Sequence, residues 1–296
     1  MKPASSIMAI VWMLVPILGF GQKIHFKGVV LDSLTRAPVP YATVEFLGQG
    51  GAVCDSSGRF AYIGEEADLK GSVVIRNLGY FVQSMGGEEL LKMDTILLRN
   101  QPVILPEVQV ITALTRRSTE LGTKGNRNDA SYGMNAWMQV GLAMDNPGHE
   151  IGFIRSVWFF IPKSGKYRAP FRVRLYERDA DGKPGRDLLR ADLILRAERE
   201  GWVKADLEGQ HILVPGHGFV AAMEWINSGD RYRYEVEIRG EKKSFYGQEL
   251  GSVLQQDTPN TWIRLIGKDW ILDDRSPGNG TFGFRNALIK AEIWRE

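Results

Sequence analysis

The sequence predicts an all-β protein built from two β-sandwiches in tandem, and three observations carry that reading. Short segments alternate apolar and polar residues with a period of two, as in Thr43-Val44-Glu45-Phe46 and Phe171-Arg172-Val173-Arg174-Leu175-Tyr176, which places successive side chains on opposite faces of a strand. Turn signals recur at short intervals, among them Asp55-Ser56-Ser57-Gly58, Asp181-Gly182, Pro184-Gly185, Pro215-Gly216, Asn227-Ser228-Gly229-Asp230 and Pro277-Gly278-Asn279-Gly280. Many short strands with such spacing belong to sandwiches and jelly rolls. Finally, no long segment repeats apolar residues at helical spacing. A chain of 296 residues has room for two cores, since a domain is typically about 100–200 residues.

In chain order, Met1 to Gly21 carries a lysine, an apolar run from Ile7 to Val15 and the ending Gly19-Phe20-Gly21. This is the pattern of a secretory signal peptide, too short for a comfortable membrane span, with the mature chain expected from Gln22. No later run of about 18 apolar residues follows, so no membrane span is expected once the signal is removed. The 37 Lys and Arg against 35 Asp and Glu leave a formal charge of +2, without the global field that favours nucleic acid. Cys54 is the single cysteine, which rules out an intramolecular disulfide and a thiolate metal cluster.

The first domain opens with a strand over Ile24 to Leu31. Asp32-Ser33-Leu34-Thr35 turns the chain, and Pro38 and Pro40, unable to donate to a ladder, precede a half-buried strand over Tyr41 to Phe46. Asp55-Ser56-Ser57-Gly58 reads as a hairpin loop in which the Asp carboxylate caps backbone N–H groups, Gly58 takes positive φ and Phe60 returns to the core. Ser72 to Ile75 and Met93 to Leu98 are further strands, with a loop or single helical turn over Gly86 to Leu91.

Gly28-x-Val30-x-Asp32, Pro38-x-Pro40-Tyr41-Ala42-x-Val44, Asp55-x-x-Gly58-Arg59-Phe60 and Leu78-Gly79-Tyr80 resemble, in that order, the carboxypeptidase-regulatory-like domain. The resemblance covers about residues 24 to 99, with Cys54 where a Thr is usual. It implies a seven-stranded, prealbumin-like β-sandwich in an exported, Gram-negative cell-envelope protein, at the periplasm or the cell surface. Such domains often precede TonB-dependent receptors, where a stretch similar to Leu105-Pro106-Glu107-Val108-Gln109-Val110 leads into the plug. The remaining chain is too short for a large outer-membrane barrel, so Leu105 to Ile111 reads as a strand or exit segment, and the polar, basic Thr112 to Asp129 as a linker.

Residues 130–296 form the second sandwich. Ile151 to Ile161 and Phe219 to Ile226 are more continuously apolar, as central strands are. Phe171 to Tyr176 and Tyr232 to Ile238 alternate with charge, predicting one face in a core and one in water; a helical turn or two is expected around Asp187 to Arg190. Phe171 to Glu177, Gly182-Lys183-Pro184-Gly185, Gly201-Trp202-Val203 and Asp206-Leu207 resemble a jelly-roll-like domain that follows the regulatory domain in related exported bacterial proteins. The expected division is therefore signal peptide 1–21, first sandwich 22–100, strand and linker 101–129, and jelly-roll-like sandwich 130–296.

Candidate chemistry is sparse. None of His25, His149, His211 and His217 is followed three residues later by Glu, so the zinc ligands of a carboxypeptidase are missing. His211 and His217 flank a Pro-Gly turn, and surface loops are the preferred reading over a metal site. No Gly-x-Ser-x-Gly occurs, Ser164 and Ser244 lack a His and Asp context, and Cys54 reads as packed rather than nucleophilic. Asp179-x-Asp181-Gly182 starts like a calcium loop but lacks the closing Glu, so a hairpin turn is favoured.

Glu224 interrupts an apolar strand, where a carboxylate is costly unless paired; Arg172 or Arg174 is its expected partner in a structural ion pair. A hydrolase using Glu224 is the alternative, since glycoside hydrolysis needs a second facing carboxylate. The favoured reading is a non-catalytic binding or accessory protein for a glycan or an envelope protein, with no catalytic residue, no metal and no cofactor. Tyr246 and Trp262 are the candidate ligand contacts, as aromatics in connections read over Phe245 to Gly251 and Asn260 to Trp270. Alternation points Trp262 outward, opposite Ile263 and Leu265, whereas Trp270 is expected in the core. A third reading is accessory uptake by strand pairing through Leu105 to Ile111.

Overall fold

The computed structural model describes residues 23–101, 117–123, 128–146, 148–149, 151–238, 240–255, 258–275 and 283–295. The signal-peptide reading, the segment Leu105 to Ile111, half of the expected linker and the turn Pro277 to Gly280 lie outside these residues. The fold is all-β, with several sheets and short helices alone. Among the described residues no helix is long and apolar enough to cross a membrane.

The first sandwich runs β1 (Ile24–Asp32), β2 (Thr43–Phe46), β3 (Gly50–Val53), β4 (Arg59–Gly64), α1 (Glu66–Lys70), β5 (Ser72–Arg76), β6 (Gln83–Gly86), α2 (Gly87–Leu91) and β7 (Thr95–Leu98). One sheet has the order β4-β1-β7, with β1 and β7 parallel, and the other β3-β2-β5-β6. Phe26, Val30, Val44, Phe46, Ile75, Ile96 and Leu98 fill the space between them. Phe26 and Phe46 meet at 4.7 Å between ring centroids, and Tyr62 stacks on Phe46 at 4.5 Å.

Local turns follow the residues that signal them. The Asp32 carboxylate accepts from the backbone N–H of Leu34 and Thr35 at 2.9 and 2.8 Å. Asp55 accepts from Ser57 and Arg59 at 2.8 and 3.0 Å. Gly58 has φ +73°, and Phe60 is buried.

The second sandwich comprises β8 (Arg117–Gly122), β9 (Ala130–Met134), β10 (Met138–Met144), β11 (Gly152–Ile161), β12 (Phe171–Arg178), β13 (Pro184–Asp187), β14 (Leu193–Leu195), β15 (Gly201–Asp206), β16 (Ile212–Leu213), β17 (Phe219–Trp225), β18 (Arg233–Ile238), β19 (Glu241–Gln255), β20 (Thr261–Leu265), β21 (Trp270–Leu272), β22 (Phe284–Ala287) and β23 (Ile289–Arg295). Its largest sheet has the order β13-β12-β17-β10-β20-β21, with β14 also on β12. A second sheet, β15-β11-β23-β8 with β16 on β11, packs against its inner face; a third contains β18-β19-β22, with β9 on β19. Val140, Val157, Phe159, Phe171, Val173, Leu175, Met223 and Ile293 are among the core residues between the sheets.

Four expectations are corrected. Arg117 to Gly122, assigned to the linker, is β8 and pairs with β23 from Lys290 to Arg295, so the second sandwich begins before residue 130. Asp187 to Arg190 is not helical: the Leu188 N–H donates to the Leu175 carbonyl of β12 at 2.6 Å, which keeps the chain on the sheet, and the Asp187 carboxylate accepts from the Leu189 N–H at 3.0 Å in a local turn. The β18–β19 hairpin projects, with most of β18 exposed on both faces, because β9 reaches β19 only from Tyr246 onward. The charged faces of β2 and β12 are buried rather than wet: Glu45 retains 3 % exposure, Arg172 0 % and Arg174 7 %. Each polar face covers the other.

Candidate functional site

The cross-strand register explains what the outer face of the large sheet presents. Arg172 on β12 stands opposite Glu224 on β17, Glu224 opposite Gln139 on β10, Gln139 opposite Arg264 on β20, and Arg264 opposite Trp270 on β21. Five polar or aromatic side chains thus form one row across five strands, all on the same face because period-two alternation is kept throughout. The next row is Arg174, Ala222, Gly141, Trp262 and Leu272, and a third is Tyr176, Val220 and Ala143. Small residues in the middle leave a trough that Trp262 and Trp270 partly fill.

Arginine and carboxylate charges are matched along the polar row. Arg174 Nε donates to Glu224 at 2.6 Å and its Nη1 to Asp187 at 3.1 Å. Arg172 lies 3.5 Å from Glu224 and 3.4 Å from Asp192. Burial alone would raise the Glu224 carboxyl, but the charges of Arg174 and Arg172 outweigh it and hold it below the ordinary value. For Asp187 and Asp192 burial prevails over the same arginines, and both carboxyls are raised. The expected pairing of Glu224 with Arg172 and Arg174 is present.

The first sandwich closes over this row through β2 and its flanking turns. Arg264 donates through one Nη to both oxygens of Glu45, at 3.1 and 3.0 Å, and Arg76 approaches the same carboxylate at 3.3 Å. Tyr41, with φ +58°, aims its carbonyl at Arg172, which donates to it at 2.6 Å. A left-handed conformation is strained for a residue with Cβ; here it coincides with a contact that fixes a buried guanidinium. The Gly48 N–H donates to the Gly267 carbonyl at 2.9 Å, and Lys268 donates to the Gly48 carbonyl. Gly267 has φ +72°, and a Cβ there would lie 2.5 Å from the Gly50 carbonyl oxygen. Leu78 packs on the core of the second sandwich.

Beside these contacts the two sandwiches leave a cleft of about 710 Å³. Asn77, Tyr80 and Gln101 line it from the first sandwich, and Tyr176, Asp187, Arg186, Arg190 and Trp270 from the second. Trp270 meets Tyr176 edge-on at 5.3 Å, and the Tyr176 hydroxyl donates to Gln139 Oε1 at 2.7 Å. Arg186 pairs with Glu177 at 3.0 Å while its side chain remains 76 % exposed. Arg190 has no ion-pair partner among the described residues.

The two predicted ligand contacts sit differently from expectation. Tyr246 lies inside β19 with 2 % exposure; the Phe245 to Gly251 connection is strand. Its hydroxyl accepts from the Ser228 N–H at 2.6 Å and donates to the Gly229 carbonyl at 3.1 Å, so it anchors a turn. Trp262 is on the face opposite Ile263, as alternation requires, but is half-buried against the trough. Trp270, expected in the core, is half-buried on that same outer face and lines the cleft. Asn260 to Trp270 is β20, a turn and the start of β21 rather than a loop.

The remaining candidates are placed as follows. Cys54 is buried, and burial pushes its thiol up to about 12. Asp179 accepts from the Asp181 and Lys183 N–H groups at 3.0 and 2.8 Å, closing a hairpin turn. His211 stands edge-on to Phe153, and His217 to His149. Ser164 donates to Glu249 at 2.7 Å, and Ser244 is exposed on the β18–β19 hairpin. Among the described residues no three His, Cys, Asp or Glu side chains converge as metal ligands do. Comparison with protein-family models and with curated proteins finds no match.

Proposed function

We propose that the protein is a non-catalytic binding protein whose ligand is a glycan seated in the cleft between the sandwiches. The observation that carries this reading is the make-up of the cleft wall: three aromatic rings, the half-buried Trp270 and Tyr80 and the buried Tyr176, surrounded by the planar polar groups of Asn77, Gln101, Arg186, Arg190 and Asp187. Rings cover apolar sugar faces, while amides, guanidinia and carboxylates match hydroxyls that both donate and accept. The carboxylates argue for binding over hydrolysis. Glu224 is buried between two arginines and Asp187 is engaged by Arg174, whereas a glycosidase needs an acid and a second carboxylate free to face the scissile bond.

The resemblance of residues 24 to 99 to the carboxypeptidase-regulatory-like domain, with the apolar run from Ile7 to Val15, supports placement of this binding protein in the cell envelope. A glycan array with the full chain tests the ligand class. Wild type is expected to retain a discrete set of oligosaccharides, Trp270→Ala to lose them, and Arg190→Ala to weaken them about 10-fold, the loss of one hydrogen-bonded contact. Trp262→Ala, outside the cleft wall, is expected to retain them. A wild-type array without signal removes the glycan and leaves an envelope protein as the ligand.

A further inference from the structure

A second groove lies beyond the N-terminal end of β12. Three connections meet there: Gly165 to Arg168 between β11 and β12, Arg196 to Glu198 between β14 and β15, and Arg231 with Tyr232 between β17 and β18. The groove has a volume of about 870 Å³ and shares no lining residue with the cleft between the sandwiches. Lys166, Arg168, Arg196 and Arg231 are exposed around it, and none has an ion-pair partner among the described residues. Several arginines elsewhere are paired, as at Arg155, Arg172, Arg174, Arg178, Arg186, Arg233 and Arg264. In a chain whose formal charge is only +2, four cations without an ion pair thus converge from three connections on one concavity.

We infer that this groove binds an acidic polysaccharide, a chain carrying carboxylate groups at intervals among hydroxyls. The cations belong to three separate loops, so they suit several anionic groups spread along a polymer rather than one small anion. Two tyrosines supply half-buried rings, each with an arginine alongside: Arg231 lies 4.7 Å from the Tyr232 ring centroid and Arg168 5.5 Å from that of Tyr167. Glu198 lines the same groove and joins no ion pair among the described residues. A carboxylate there accepts hydrogen bonds from sugar hydroxyls and repels an unbroken phosphate backbone, which favours an acidic sugar over nucleic acid. The site is independent of the cleft, and either can fail without the other.

Affinity electrophoresis of the full chain in gels containing polygalacturonate tests the assignment. Wild type is expected to be retarded, with retardation weakening as salt screens exposed charges, and to run freely in gels with a neutral polysaccharide. Arg196→Glu/Arg231→Glu is expected to lose the retardation while keeping the wild-type circular dichroism spectrum, both residues being exposed. Arg186→Glu/Arg190→Glu makes the same charge change in the cleft and is expected to keep it. Loss in both double variants would show a general charge effect and overturn the site, as would the absence of retardation in wild type. Equal or stronger binding of a single-stranded DNA oligonucleotide in the same groove would overturn the sugar in favour of a phosphate backbone.

Discussion

Glu224 shows how one side chain joins fold and charge. It occupies the middle of an otherwise apolar strand and is surrounded by Arg172 and Arg174, so its removal strands two buried cations. Breaking such a group from one side costs about 3–5 kcal/mol, and Glu224→Gln is expected to lose that much stability near neutral pH. Because the folded carboxyl titrates below its ordinary value of 4.5, its contribution is present above that pH and lost as pH falls through the lower folded value. Urea midpoints near pH 7 and near pH 3 should therefore show the gap between variant and wild type narrowing in acid. A gap that stays constant would mean that Glu224 is not ionised against these arginines. Asp187 and Asp192, both raised, work in the opposite direction, gaining stability as they protonate.

Single elements were the most legible part of the sequence, where the cause is local. Asp55 and Gly58 shape their hairpin by chemistry confined to a few residues, and the loop forms as those residues require. Gly58→Ala is expected to lower the melting temperature: the left-handed conformation costs about 1–2 kcal/mol for a residue with Cβ, and that Cβ would stand 2.6 Å from the Val30 carbonyl oxygen. An unchanged melting temperature would contradict this geometry. Alternation likewise put Trp262 and Ile263 on opposite faces. What alternation does not reveal is the environment of each face. The charged sides of β2 and β12 read as solvent-facing because their partner lies more than a hundred residues away, and aromatic residues near turn-like sequence read as loop because β19 is a 15-residue strand with polar residues at its start.

At the scale of the molecule, the two sandwiches are tied by contacts that neither could satisfy alone. Arg264→Ala removes the contact to Glu45, leaving that buried carboxylate with Arg76 alone. Calorimetry of wild type is expected to show one coupled transition and that of the variant two, the first sandwich melting separately; a single transition in both would mean that other contacts carry the coupling. The meeting of Asn77, Tyr80, Gln101, Arg186 and Arg190 in one cleft was invisible in the sequence because no local pattern brings two sheets face to face. The tie to Arg172 has a different character from the tie to Arg264. Its acceptor is the main-chain carbonyl of Tyr41, presented by a left-handed turn, so it depends on the path of the chain rather than on the side chain at position 41. A chimera that replaced residues 23–101 with another sandwich of the same turn geometry would keep that contact whatever residue stood at 41, whereas the contact to Arg264 would survive only if a carboxylate were carried across at position 45. Domain exchange is thus constrained at one point by shape and at the other by identity.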